Sequence, residues 1–151
     1  MNEDRGYALI TGASQGLGAA IALELAGHGF GVLLVARSEE ALQKVAAEAG
    51  ALNGGRAQVL AADLFTADAA GRLADRVNSL KLPLNCIVNN AGQGLWGLFD
   101  ALPVEDQLRM MRLNMDIPVE LTHRLLPTLK KTERAYILNI SSMTAYSPMA
   151  T

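Results

Sequence analysis

The segment Thr11-Gly12-Ala13-Ser14-Gln15-Gly16-Leu17-Gly18 carries the clearest chemistry in the chain. It follows a short apolar run and opens a segment of helical character. Glycines at a strand-to-helix turn let backbone approach a pyrophosphate. A helix starting at Gly16, Leu17 and Gly18 offers free N–H groups and the positive end of its dipole. Ser14 adds a hydroxyl inside the turn. These features describe a phosphate cradle. The competing reading, a tight turn with close helix packing, also uses the glycines and is outweighed by the order strand, loop, helix.

Arg37 is the second candidate. A dinucleotide fold that prefers NAD places an acid near residue 36 to bind the ribose 2′-hydroxyl. This chain has Ala36-Arg37 there, so no carboxylate repels a 2′-phosphate and a guanidinium can grip it. NADP is therefore expected over NAD, against the alternative that Arg37 is a solvated loop cation. A literal G-x-G-x-x-G also occurs at residues 92–97, but no helix opens after it, so the context test fails. Its glycines are expected to form a mobile loop. Leu95, Trp96 and Phe99 then either offer an apolar surface to a substrate or, for Trp96, fill the core.

Positioning such residues requires an alternation of strands and helices. Short apolar runs at residues 7–11, 31–36, 57–61, 84–89 and 135–140 show little in–out alternation, as strands covered on both faces should. Helical segments fall at 16–27, 39–48, 67–80, 104–111 and 115–130. Ser38 and Thr66 stand where N-caps belong, and Asn53-Gly54-Gly55 is a turn signal. Strand–helix alternation predicts one α/β unit over 1–151, a doubly wound parallel sheet. Its ligand site lies at the carboxyl ends of the first and fourth strands.

Composition narrows the class further. The 151 residues are 50% hydrophobic and 19% charged, with a formal net charge of −2, which fits an ordinary globular domain and disfavours nucleic-acid or anionic-membrane partners. The one cysteine, Cys86, lies in an apolar run and reads as a small core residue. The start of the chain is acidic and no run of about eighteen apolar residues occurs, so no leader or membrane span is expected and the cytoplasm is the default address. His28 and His123 have no third ligand at metal spacing. Met110, Met111 and Met115 read as core or pocket wall.

Asn89-Asn90-Ala91-Gly92 ends the fourth candidate strand. With Thr11-Gly12-x-x-x-Gly16-x-Gly18, Asp63 after the third strand, Asn114 in Leu113-Asn114-Met115, and Asn139-Ile140-Ser141-Ser142, it resembles the short-chain dehydrogenase/reductase family. That resemblance implies a Rossmann fold binding NAD(P) and hydride transfer between a small-molecule carbonyl and an alcohol. Residue by residue, it implies cofactor contacts at Gly12, Ser14, Gly16, Gly18, Asp63, Asn90 and Gly92, with Asn89 structural. Ser142 resembles the catalytic serine and Asn114 the asparagine that holds a water in the proton relay. Ser141 differs from Ser142 only in its order after Asn139. Homo-oligomerisation through the 115–130 helix is also implied.

The family pattern also requires a tyrosine with a lysine four residues later, because a phenol near pKa 10 needs a nearby cation to work at neutral pH. Tyr7, Tyr136 and Tyr146 are followed at that distance by Thr11, Ile140 and Ala150. Family spacing places the pair, with the last strands and helices, just past Thr151. A longer parent protein is the expected source. The chain alone is then expected to be inactive, with its fifth strand an unprotected edge and the Ile117, Leu121, Leu125, Leu129 face lacking cover. Two other classes stay open: a non-catalytic dinucleotide-binding or partner-holding module, and a structural domain without cofactor.

Overall fold

Parallel pairing explains why the apolar runs of the central strands lack alternation: they bury both faces. The protein's structure, a computed structural model, describes residues 5–146. The acidic start at residues 1–4, together with Ala150 and Thr151, lies outside the described residues. The chain runs β1 (Tyr7–Thr11), α1 (Gly16–Gly27), β2 (Gly31–Val35), α2 (Glu39–Asn53), β3 (Ala57–Val59), α3 (Ala69–Ser79), β4 (Leu84–Asn89), α4 (Val104–Met111), α5 (Ile117–Leu129) and β5 (Tyr136–Asn139). The strands form one parallel sheet in the order β3-β2-β1-β4-β5, so the chain reverses direction across the sheet between β1 and β4. This is the doubly wound Rossmann arrangement.

Strand alternation, interrupted once where β4 shifts register after Leu84, sorts the strand side chains between two cores. Leu9, Leu33, Leu84 and Ile87 face α3 and α5, where Leu73, Val77, Leu121 and Leu125 cover them. Ala8, Ile10, Val32, Leu34, Cys86 and Val88 face α1 and α2, against Ala22, Ala26, Leu42 and Val45. Burial of Cys86 penalises its thiolate and pushes the thiol up from 9.0 to about 11, in keeping with an inert core residue.

Several boundaries depart from the sequence expectation. Ser38 does cap α2, accepting a hydrogen bond from the Ala41 N–H at 3.3 Å. Thr66 caps nothing: α3 starts at Ala69 after Asp68, whose backbone is left-handed at φ 51°, while the Thr66 hydroxyl donates back to the Asp63 carbonyl at 2.8 Å. Helix α2 runs on to Asn53 and stops where Gly54 takes φ 71°.

The helical path from α4 to α5 has no break. A π-helical turn, Arg112–Asp116, joins them, with the Ile117 N–H bonded to the Arg112 carbonyl. Pro118 gives the physical reason, because it has no N–H for the Asn114 carbonyl four residues earlier and its ring crowds that carbonyl.

Packing overturns two further expectations. Ile117, Leu121, Leu125 and Leu129 are covered, buried against the sheet and α3, so this face is not available to a partner. Met111 and Met115 are exposed rather than in the core. The exposed apolar stripe lies on another face of the same helical path, at Val104, Leu108, Met111, Met115 and Val119. By contrast, β5 is an open edge as expected, with Tyr136, Ile137 and Leu138 all exposed.

Candidate functional site

The two ends of the cradle differ in how their backbone is satisfied. Helix α2 begins under the Ser38 cap with Glu39 and Glu40 in its first turn, which neutralises its dipole. Helix α1 begins at Gly16 with no side-chain cap and no acidic residue in its first turn. Its leading N–H groups, from Gly16, Leu17 and Gly18, have no partner within the helix. A positive helix end left uncapped at the carboxyl edge of the sheet is chemically suited to an anion.

The loop geometry needs its glycines at two positions. Gly12 takes φ 68°, and a Cβ there would press on the Asn90 side-chain nitrogen and the Ala91 backbone. Gly18 packs directly beneath it, where a Cβ would collide with the Gly12 carbonyl oxygen. Gly16 has φ 56° and nothing within 4 Å of its missing Cβ, so it opens toward space that a ligand can enter. Leu17 points its side chain outward.

A residue in the motif that sequence reasoning left without a role proves central. The Thr11 hydroxyl is buried, donates to the Val88 carbonyl at 3.3 Å, and accepts from the Asn90 and Ala91 N–H groups, each at 3.0 Å. Asn90 answers by donating its side-chain amide to the Thr11 and Gly12 carbonyls at 2.9 and 3.2 Å. The glycine-rich loop is thus stitched to the end of β4. Asn89, one residue earlier, donates to Thr122 Oγ1 at 3.1 Å and Asn139 Oδ1 at 2.8 Å, tying β4 to α5 and β5.

These ties shape a cleft of about 900 Å³. Gly12, Ser14, Gly16, Arg37, Asp63, Asn90 and Gly92 all line it, with Gln15, Ala36, Phe65, Gln93, Arg109 and Leu113. Leu17, Gly18, Asn114 and Ser142 do not line it. Asp63 uses Oδ1 to accept the Phe65 N–H at 3.0 Å, which fixes the loop after β3. Asn114, in the π-helical turn, holds the far wall: its amide donates to the Gln93 carbonyl at 2.8 Å and accepts the Gln93 N–H at 2.9 Å. Ser142 follows β5, and its Oγ accepts from the Thr144 N–H at 3.2 Å and the Thr144 hydroxyl at 2.9 Å.

Residues 92–97 form an irregular loop with no helix after it, so the second glycine pattern is not a phosphate turn. Trp96 is not in the core: it is 74% exposed and Phe99 81%.

A doubly wound parallel sheet with a cleft at its switch point defines an α/β protein of the Rossmann class. The family described as short chain dehydrogenase matches residues 6–151. The chain belongs to that family. It is 38% identical to a fatty acyl-CoA reductase of Acinetobacter baylyi over 140 residues, 90% of this chain and 46% of that protein. It is 36% identical to an uncharacterised oxidoreductase of Mycobacterium bovis, over 89% of this chain and 41% of that one. The chain thus spans less than half the length of these two relatives. A metagenomic short-chain oxidoreductase solved in complex with NADP superposes with a TM-score of 0.90 at 34% identity, covering 99% of this chain and 67% of that one.

Proposed function

We propose that the protein is an NADP-preferring oxidoreductase that interconverts a carbonyl and an alcohol. The observation that carries this reading is one cleft uniting the uncapped α1 N-terminus with Arg37, a cation that no carboxylate engages among the described residues. The fit of the cofactor rests on the same geometry, since the Gly12 and Gly16 surface admits a pyrophosphate and Asp63 keeps one carboxylate oxygen for the adenosine end. The similar structure that holds NADP supports the choice of cofactor. When bound, the nicotinamide supplies or accepts the hydride.

The chain's own residues would do the rest. Gly16, Leu17 and Gly18 donate backbone N–H groups to the phosphates, and Ser14 adds its hydroxyl. Arg37 grips the 2′-phosphate, with Asn90 and Gly92 forming the floor of the cleft. Ser142 donates its hydroxyl proton to the substrate oxygen and so stabilises the charge that develops there. Asn114 holds a water for the proton relay: Pro118 cannot donate to its backbone carbonyl, which leaves that oxygen without its ordinary helical partner. No tyrosine in this sequence has the lysine four residues on that the chemistry needs, so the proton donor is assigned to residues outside it. The exposed Trp96, Leu98 and Phe99, in the segment that follows the cleft residue Gln93, suit an apolar substrate. The Val104, Leu108, Met111, Met115 and Val119 stripe suits self-association.

The test compares wild-type and Ser142→Ala full-length protein. NADPH binding, followed by fluorescence, is expected to be equal in the two. Turnover of a ketone panel is expected to fall about a hundredfold or more in the variant. NADPH binding without turnover of any carbonyl in the wild type would instead support a non-catalytic module. Absence of binding would support a structural domain.

A further inference from the structure

Phe65 lies on the wall of the cleft and carries two guanidinium groups on its ring, Arg109 at 4.0 Å from the centroid and Arg37 at 5.9 Å. The two arginines come from elements far apart in sequence, Arg37 from the end of β2 and Arg109 from α4. Both line the same cleft. Gathering two positive groups on one ring is unfavourable unless a counter-charge offsets their repulsion.

Among the described residues no carboxylate supplies one. Glu105 and Asp106 stand four and three residues before Arg109 on α4, at the spacing of helical ion pairs, yet among the described residues no ion pair or hydrogen bond engages the Arg109 guanidinium. Asp63 is the acid of the cleft wall, and its Oδ1 is turned to the Phe65 N–H. The quadrupole of Phe65 therefore holds both cations at the cleft without neutralising either. Arginine suits that task, because a guanidinium stacks on a ring face while its N–H fork stays free for a phosphate.

We propose that Arg109 is a specificity-determining residue for the cofactor, a second cation that meets the 2′-phosphate of NADP opposite Arg37, with Phe65 as the platform that aims both. The inference rests on the dinucleotide reading above and extends it to a helix on the far side of the cleft. A phosphate monoester placed between the two guanidinium groups receives charge-assisted hydrogen bonds from both. NAD, which has a hydroxyl there, gains nothing from Arg109.

Dissociation constants for NADPH and NADH, measured by titration of the full-length wild-type, Arg109→Gln and Phe65→Leu proteins, test this. Arg109→Gln is expected to weaken NADPH about tenfold and to leave NADH unchanged, with a shallower salt dependence for NADPH. Phe65→Leu is expected to act in the same direction by releasing both cations. Equal weakening of the two nucleotides would mean that Arg109 packs on adenine and would overturn the proposal, as would no change for either. A wild type that binds neither nucleotide would overturn the dinucleotide reading itself. An Arg109→Gln protein that binds NADPH as tightly as a wild type that does bind it would overturn only the role of Arg109.

Discussion

Thr11 carries more structure than any other single side chain at the site. Its hydroxyl serves one carbonyl and two N–H groups where β1, β4 and the phosphate loop meet. Valine has the same shape without the oxygen, so Thr11→Val leaves the Asn90 and Ala91 N–H groups without their acceptor. The expected cost is about 3 kcal/mol. Serine keeps the oxygen and loses only a methyl, so Thr11→Ser is expected to cost about 1 kcal/mol. Urea unfolding of both variants checks the ordering, and a Thr11→Val protein as stable as wild type would show that the stitch is dispensable.

Helices α4 and α5 show how one continuous helical path presents two different faces. Leu121 and Leu125 are sealed between the sheet and α3, whereas Met115 and Val119 stand in solvent on the same path. The π-helical turn between them shifts the register of the helix by a residue, and it places Asn114 against Gln93. Leu121→Ala is expected to destabilise the fold by about 3 kcal/mol through a core cavity. Met115→Lys is expected to change stability by less than about 0.5 kcal/mol while lowering the mass observed by sedimentation, if the exposed stripe is the assembly surface. Thermal unfolding and sedimentation on the same samples separate the two faces.

At the scale of the whole molecule, stability depends on pH through the core as well as the surface. Cys86 keeps its proton up to about pH 11 when folded, against 9.0 for an unperturbed thiol. The unfolded chain therefore releases that proton first, and alkali favours unfolding. The contribution is intact below pH 9 and is lost as pH rises toward 11, amounting to about 2–3 kcal/mol. Cys86→Ala is expected to flatten this part of the profile. Unfolding free energies measured from pH 8 to 11 in both proteins decide it, and parallel profiles would assign the alkaline loss to other groups. Among the described residues no helix is long and apolar enough to cross a membrane, and the open edge at β5 is the one place where the sheet offers unpaired backbone beside exposed apolar side chains.

What could be read from the residues in order was whatever depends on short-range geometry. Apolar runs without alternation marked the five strands to within a residue or two, Ser38 announced its cap, and the glycines marked a loop that admits no side chain at Gly12 or Gly18 and turns left-handed at Gly16. The same logic failed where a residue's partner is distant. Thr66 looks like a cap but bonds backward to Asp63, because the loop after β3 is held by its own hydrogen bonds and by Asp68 in a left-handed turn. The methionines and the leucines of the last helices have similar spacing, and only the docking of α5 on the sheet decided which set is buried. Arg109 carried no signal at all, since nothing in its neighbours says that α4 will bring it over Phe65. Sequence alone determined the strand–helix alternation and the phosphate loop, because local backbone preferences and periodicity are encoded within a few residues. Tertiary structure decided which helix face meets solvent and which cations share a ring, because those depend on how crossovers set elements side by side across the sheet.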